Sequence, residues 1–279
     1  MRLRSLLYVP AHVDRFVARA HERGADAVIL DLEDSVPEAE KDAARASLAT
    51  AAPHVAQSGV TVFVRVNATD RLEADVRAAM AAGTDGVMLP KAVRADSIDR
   101  LPDGDFAVIA VVESADGLLA AREVAAHPRV IALCLGGEDF ATDTGAVPDP
   151  DVLRLPKLLL HYAAKAEGKI SLGLLRSVAQ FDDPADLAAA AAEASKFGFD
   201  GATCIHPKVV DVLNTAFTPS AEQIAHARRI VAAAETAAAE GRGALMLDGE
   251  FIDAPVVARH RAILARGNAA TGTPKSTSL

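Results

Sequence analysis

"VIALCLGGEDFATDTG", Val130 to Gly145, is the stretch on which the fold turns. Its first six residues are apolar, without the polar alternation of a half-exposed strand, and fit a strand covered on both faces. Gly136 and Gly137 end the run, and two adjacent carboxylates, Glu138 and Asp139, follow at once. Strands of this kind belong to parallel sheets with helices packed outside, where polar groups at the strand C-termini gather on the face that does chemistry. Two readings of the acids are open. They are helix N-terminal acids favoured by the helix dipole, or they are ligands to a cation.

Outward from this stretch the same pattern repeats. Apolar runs at Ser5–Val9, Ala27–Leu32, Val60–Val66, Gly86–Leu89, Phe106–Val112, Ile170–Leu174 and Ala202–Ile205 complete a set of eight. Segments of helical period lie between them, at Val13–Arg23, Ala39–Thr50, Arg71–Ala82, Ser97–Leu101, Leu118–Ala125, Leu153–Glu167 and Pro184–Phe197, and Lys208–Thr215 follows the last. Each return to a parallel neighbour needs such a crossover. Eight strand–helix units predict an α/β fold, a (β/α)8 TIM barrel over 1–220, with a doubly wound open sheet as the competitor. A C-terminal helical extension and lid segment is expected over 221–266, with helices at Ala221–Glu240 and Val256–Arg266. Residues 267–279 read as a disordered polar tail.

Bulk properties narrow the function. The chain has 279 residues, 51% of them hydrophobic, and a net charge of −9, which disfavours nucleic acid and anionic membrane surfaces as partners. No run has the length of a membrane span or of a secretory leader. The two cysteines, Cys134 and Cys204, sit in apolar runs and read as reduced core thiols, which fits a cytoplasmic protein.

The strand ends supply candidate chemistry. Asp31, Glu33 and Asp34 follow the second run, Arg65 and Asn67 the third, Lys91 the fourth, Glu113 the fifth, and Glu138 and Asp139 the sixth. Glu113 and Asp139 stand on neighbouring strands and can share one hard cation, most plausibly Mg2+, through oxygen ligands. Gly136 and Gly137 let a ligand approach the backbone. Arg65 suits bidentate capture of a substrate carboxylate, or else a structural ion pair with Glu33 or Asp34. His206, before a proline, reads as a hydrogen-bonded structural residue.

Taken in order, "RSLLYVPAH", "DAVILDLEDSVPEAEK", "FVRVN", "DGVMLPKA", "VVESADGL", "LGGEDFATDTG", "FGFDGATCIHPKVVDVLNTAFTPS" and "LDGEFIDAPVV" resemble a family. The chain is similar to the citrate lyase β-subunit-like proteins, grouped with malyl-CoA and methylmalyl-CoA lyases among the HpcH/HpaI aldolases. The resemblance implies a Mg2+-dependent carbon–carbon lyase that cleaves or forms a 3-hydroxyacyl thioester, with a small-molecule 2-oxo acid and an acyl-CoA as partners. It implies Glu113 and Asp139 as metal ligands, Arg65 on the oxo-acid carboxylate, and Glu33 and Asp34 around the metal waters. It also implies Asp253 as acid/base on the acyl group, and a homotrimer or a multiple of one. Without it, "GEFID" reads as a hairpin acid. The alternatives are a CoA-independent aldolase, an acyl-CoA thioesterase, and a non-catalytic subunit that holds an organic acid. Two departures stand out. "VPAHVDRF" carries Ala11 and Arg15 where relatives use glycine and a nearby cation for CoA, and the seventh unit carries Ser171 and Arg176, the latter free to meet a substrate carboxylate or phosphate.

Overall fold

The computed structural model describes residues 1–176 and 183–271. The chain divides into two compact units, Leu3–Phe217 and the segment from Thr218 onward.

In the first unit, eight strands follow one another: β1 (Ser5–Pro10), β2 (Ala27–Asp31), β3 (Thr61–Arg65), β4 (Gly86–Leu89), β5 (Ala107–Val112), β6 (Val130–Leu135), β7 (Ile170–Leu172) and β8 (Ala202–Cys204). All their pairings are parallel, in the order β7-β6-β5-β4-β3-β2-β1-β8. The helices between them are α1 (Asp14–Ala20), α2 (Lys41–Ala56), α3 (Leu72–Ala81), α4 (Ala95–Asp99), α5 (Ala115–Leu119), α6 (Ala121–Ala126), α7 (Gly137–Thr144), α8 (Pro150–Ala166) and α9 (Pro184–Phe197), and α10 (Val210–Ala216) follows the last strand. β7 and β8 meet through a single bridge, Leu172 to Gly201, flanked by Gly173 N–H donating to Gly201 O at 2.9 Å and Asp200 N–H to Ser171 O at 3.0 Å. On the other side of β8, a Cβ on Gly201 would lie 1.9 Å from Leu3 O, so only glycine lets the chain approach the start of β1 this closely. The sheet is therefore a nearly closed (β/α)8 barrel, the fold its periodicity predicts.

Both faces of each strand are buried, for two different reasons. Leu6, Ile29, Phe63, Met88, Ile109, Val111, Ala132, Cys134 and Leu172 fill the interior. Their neighbours in sequence, such as Leu7, Val28, Leu30, Val62, Val64, Val87, Val108 and Leu133, pack under the helix ring. The missing polar alternation thus reflects two apolar environments, one on each side of the sheet.

Three elements depart from the expected pattern. The segment expected as Leu118–Ala125 is two helices, α5 and α6. Ser114 caps α5, and Ala120 between them (φ −96°, ψ 7°) leaves the helical range. β7 stops at Leu172, before the expected Leu174, because Gly173 turns away with φ 151°. The "GEDFATDT" segment, for which only a helix start at Glu138 and Asp139 was considered, forms the full helix α7.

The second unit holds α11 (Ala221–Ala239), an antiparallel hairpin of β9 (Leu245–Leu247) and β10 (Glu250–Ile252), and α12 (Ala254–Thr271). Asp248 and Gly249 both take positive φ, 51° and 83°, as a two-residue primed turn demands. The tail expected from 267 is helical to Thr271, and its remainder lies outside the described residues. Among the described residues no helix is long and apolar enough to cross a membrane.

Candidate active site

Strand parity decides which side chains reach the mouth. Residues two positions beyond an interior core residue point into the barrel axis again, one layer higher. Tyr8 follows Leu6 in this way, Asp31 follows Ile29, Arg65 follows Phe63, Glu113 follows Val111, and Gly136 follows Cys134. The layer above the apolar core is thus a tyrosine, two carboxylates, a guanidinium and a glycine.

Arg65 organises one half of it. Its Nε donates to Asp31 Oδ1 and its Nη2 to Asp31 Oδ2, both at 2.7 Å, and its Nη1 donates to Asp34 Oδ2 at 3.1 Å. The guanidinium lies over the Tyr8 ring, 4.9 Å from its centroid. Arg65 makes the ion pairs expected with Glu33 and Asp34, at 2.9 and 3.1 Å, and gains a bidentate partner in Asp31, because strand pairing sets it opposite Arg65 in the β2–β3 register. Burial works against the Asp31 carboxylate, yet the Arg65 hydrogen bonds outweigh it and hold its pKa below the usual range. Three of the five guanidinium N–H groups are spent on Asp31 and Asp34, leaving one on each terminal nitrogen.

Glu33 is a different carboxylate. It is 7% exposed, and its Oε2 lies 2.9 Å from Arg65 Nη1 but forms no hydrogen bond. Burial outweighs the attraction of Arg65 and, with Asp34, Glu113 and Asp31 nearby, pushes its pKa up to about 7.

The other half of the layer is built around Glu113. Its Oε2 accepts the Lys91 backbone N–H at 2.8 Å, with Lys91 held at φ 54°, a conformation costly for a side-chain-bearing residue. Lys91 thus supports the acidic mouth through its main chain. Gly136 N–H donates to Val112 O at 2.9 Å, which carries the β5–β6 ladder beyond the strands and brings Gly136 beside Glu113. A Cβ at Gly136 would lie 2.5 Å from Glu113 Cγ and 2.6 Å from its Oε1. Burial raises the Glu113 pKa, and the Asp139 charge raises it further. Glu138 and Asp139 occupy the first turn of α7, so the helix-terminus reading describes their position. That position does not exclude the cation reading for Asp139.

These residues fit a hard cation. Glu113 and Asp139 offer oxygen donors alone, neighbouring carboxylates add to burial in raising the pKa of Glu33 and Glu113, and the glycine gap keeps the Glu113 carboxylate open. Among the described residues no three His, Cys, Asp or Glu side chains converge as a full metal cage, and the remaining positions would fall to water or substrate.

A cavity of about 860 Å3 opens against Tyr8, Asp31 and Arg65 and runs out past Phe16, Arg23 and Lys208. Three further expectations resolve locally. His206 Nδ1 accepts the Lys208 N–H at 3.2 Å, a structural cap. Arg176 is not free for substrate: its Nε donates to Glu193 at 3.1 Å and its Nη1 to Asp186 at 3.3 Å. Asp253 follows β10, and its Oδ1 accepts the Val256 N–H at 3.2 Å at the start of α12.

Residues 4–207 match the family model described as HpcH/HpaI aldolase/citrate lyase. The chain belongs to that family. HpcH/HpaI membership brings carbon–carbon lyase chemistry of the aldolase and citrate lyase type. The chain is 35% identical to a (3S)-malyl-CoA thioesterase of Cereibacter sphaeroides over 95% of both chains. It is 34% identical to citrate lyase subunit beta of Escherichia coli K12, over 94% of this chain and 92% of the relative. Protein CitE of Mycobacterium tuberculosis, solved with magnesium, acetoacetate and coenzyme A, superposes with a TM-score of 0.80 at 33% identity, over 95% of this chain and 97% of that one.

Proposed function

We propose that this chain is a Mg2+-dependent lyase that cleaves or forms a 3-hydroxyacyl thioester of the citryl-CoA or malyl-CoA kind, exchanging it with a 2-oxo acid and an acyl-CoA. The observation that carries the reading is the Glu113 carboxylate, fixed by the Lys91 amide and kept clear by Gly136, facing Arg65 across one layer of the barrel mouth. Glu113 and Asp139 are the residues to hold the metal. Bound there, Mg2+ supplies Lewis-acid stabilisation of the negative charge that develops on the oxo-acid oxygens.

The chain's own groups do the rest. The remaining N–H of Arg65 Nη2 orients the oxo-acid carboxylate, and the guanidinium is held in place by Asp31. Cleavage requires the substrate hydroxyl to lose its proton, and Glu33 Oε2, without a hydrogen bond and with a pKa near 7, is suited to accept it. The carbon–carbon bond then breaks toward the thioester, and Asp253 returns a proton to the acyl carbon. In condensation the same steps run backwards. The cavity beside Arg65, with Arg23 and Lys208 at its rim, supports binding of the anionic acyl-CoA. The buried thiols of Cys134 and Cys204 support a reducing, cytoplasmic setting. The exposed row Val152, Leu155, Leu159 and Tyr162 on α8 supports self-association, as a homotrimer or a multiple of one.

A second reading, hydrolysis of the thioester, is favoured by the thioesterase relative. One assay separates the two: malyl-CoA or citryl-CoA is supplied with and without EDTA, and the products are resolved. Release of oxo acid together with acyl-CoA, abolished by EDTA and by Asp139→Asn, supports the lyase. Free CoA and malate without oxo acid support the thioesterase. Wild-type turnover by Asp139→Asn would refute the metal assignment.

A further inference from the structure

The β6–β8 side of the mouth contains a charge that the chemistry above does not use. α8 buries Leu153, Leu160 and Ala164 against the barrel, a stripe whose helical spacing also includes position 157. That position holds a lysine. Lys157 has no hydrogen bond and no ion pair among the described residues, and burial pulls its pKa below the ordinary lysine value. An ammonium in a core stripe without a partner is costly, and a purely structural role would be better served by leucine or methionine.

Its surroundings say what it faces. Lys157 lines a cavity of about 280 Å3 whose wall includes Cys134, Gly137 and Gly173. Gly137 lies between Gly136 and Asp139, so this cavity adjoins the half of the mouth that holds Glu113. Ile205 lines both this cavity and the larger one beside Arg65, so the two cavities are neighbours. Two rival explanations for the lysine fail on contacts. Glu138, the acid in the cavity lining, is exposed and makes no ion pair with Lys157. Arg176, the other cation there, is already neutralised by Glu193 and Asp186.

We infer that Lys157 is a specificity-determining residue that receives a second carboxylate on the oxo-acid substrate, so that the mouth selects dicarboxylic over monocarboxylic oxo acids. The inference rests on the oxo-acid reading above and names the class of acid that site takes. One carboxylate and the keto oxygen occupy the Arg65–Glu113 layer, and the far carboxylate reaches into the β6–β8 compartment. There its charge is matched by an ammonium that no group among the described residues neutralises.

The test is calorimetric binding of oxaloacetate and of glyoxylate to the full chain with Mg2+ present, in wild type, Lys157→Met and Lys157→Arg. Methionine keeps the volume and apolar packing of the stripe, and thermal melts check that it folds. The expected result is a rise of roughly tenfold or more in the oxaloacetate-to-glyoxylate Kd ratio for Lys157→Met, the value of one charge-assisted contact, with most of the selectivity restored in Lys157→Arg. A ratio in Lys157→Met equal to that of wild type would overturn the role of Lys157 while leaving the oxo-acid reading intact. Wild-type protein that binds neither acid with Mg2+ would overturn both.

Discussion

At the residue scale, the site depends on one absent side chain. The Gly136 backbone (φ −81°, ψ 94°) is accessible to alanine, so Gly136→Ala would not strain the main chain. Its methyl would instead displace the Glu113 carboxylate, which lies within 2.6 Å of the added carbon. We expect Gly136→Ala to melt near wild type but to bind Mg2+ at least roughly tenfold more weakly in titration calorimetry, the loss of about one good ligand contact. An affinity within twofold of wild type would remove the glycine from the site. Glu33 gives a pH signature. Its folded pKa stands at about 7 against an ordinary 4.5, so the stability it contributes is complete below pH 4.5 and declines as pH rises to about 7. The loss is on the order of 3 kcal/mol at most. In EDTA, the Tm of Glu33→Gln relative to wild type should therefore climb between pH 5 and 7.5. Parallel profiles would show that Glu33 ionises normally. The placement of Arg65 and Glu113 at the mouth was legible because each stands at the end of an apolar run. Asp31 as the partner of Arg65 was not, because that choice is made by inter-strand register, which a single run does not encode. Lys157 was hidden for the same reason: one lysine in a helical pattern looks like a solvated residue until the packing is known.

At the element scale, the sequence marked strands better than it marked interruptions. β4 and β6 begin and end where their apolar runs do, since glycine or charge bounds them. α7 was not delimited because it is only eight residues long, mostly polar, and set by its caps, Gly136 and Gly145. The β9–β10 hairpin turns on "DG", and it moves Asp253 out of the turn to the first position of a helix. Two roles for Asp253 can therefore be separated, since asparagine caps a helix about as well as aspartate but cannot carry the proton. Asp253→Asn should melt within a degree or two of wild type. It should also fail to exchange the methyl protons of acetyl-CoA with deuterium, followed by NMR with Mg2+ and an oxo acid analogue. Exchange at the wild-type rate would leave Asp253 with capping alone.

At the scale of the whole molecule, the class of fold was written in the repetition of eight apolar runs, while the quality of its closure was not. β1 through β6 are joined by ladders of three to five paired residues, with one irregularity at Val108–Ile109, whereas β7 and β8 are three residues each and meet at one bridge, Leu172 to Gly201. Length and composition cannot report that asymmetry, because it depends on where Gly173 turns β7 away from its neighbour. The arc from β2 to β6 carries Asp31, Arg65 and Glu113, the groups to which the proposed chemistry is assigned. The lightly stitched side carries the compartment proposed for the second carboxylate. Descendants of such a barrel can change diet by rewriting a few positions along α8 and the last two strands, leaving the reactive machinery as they inherited it.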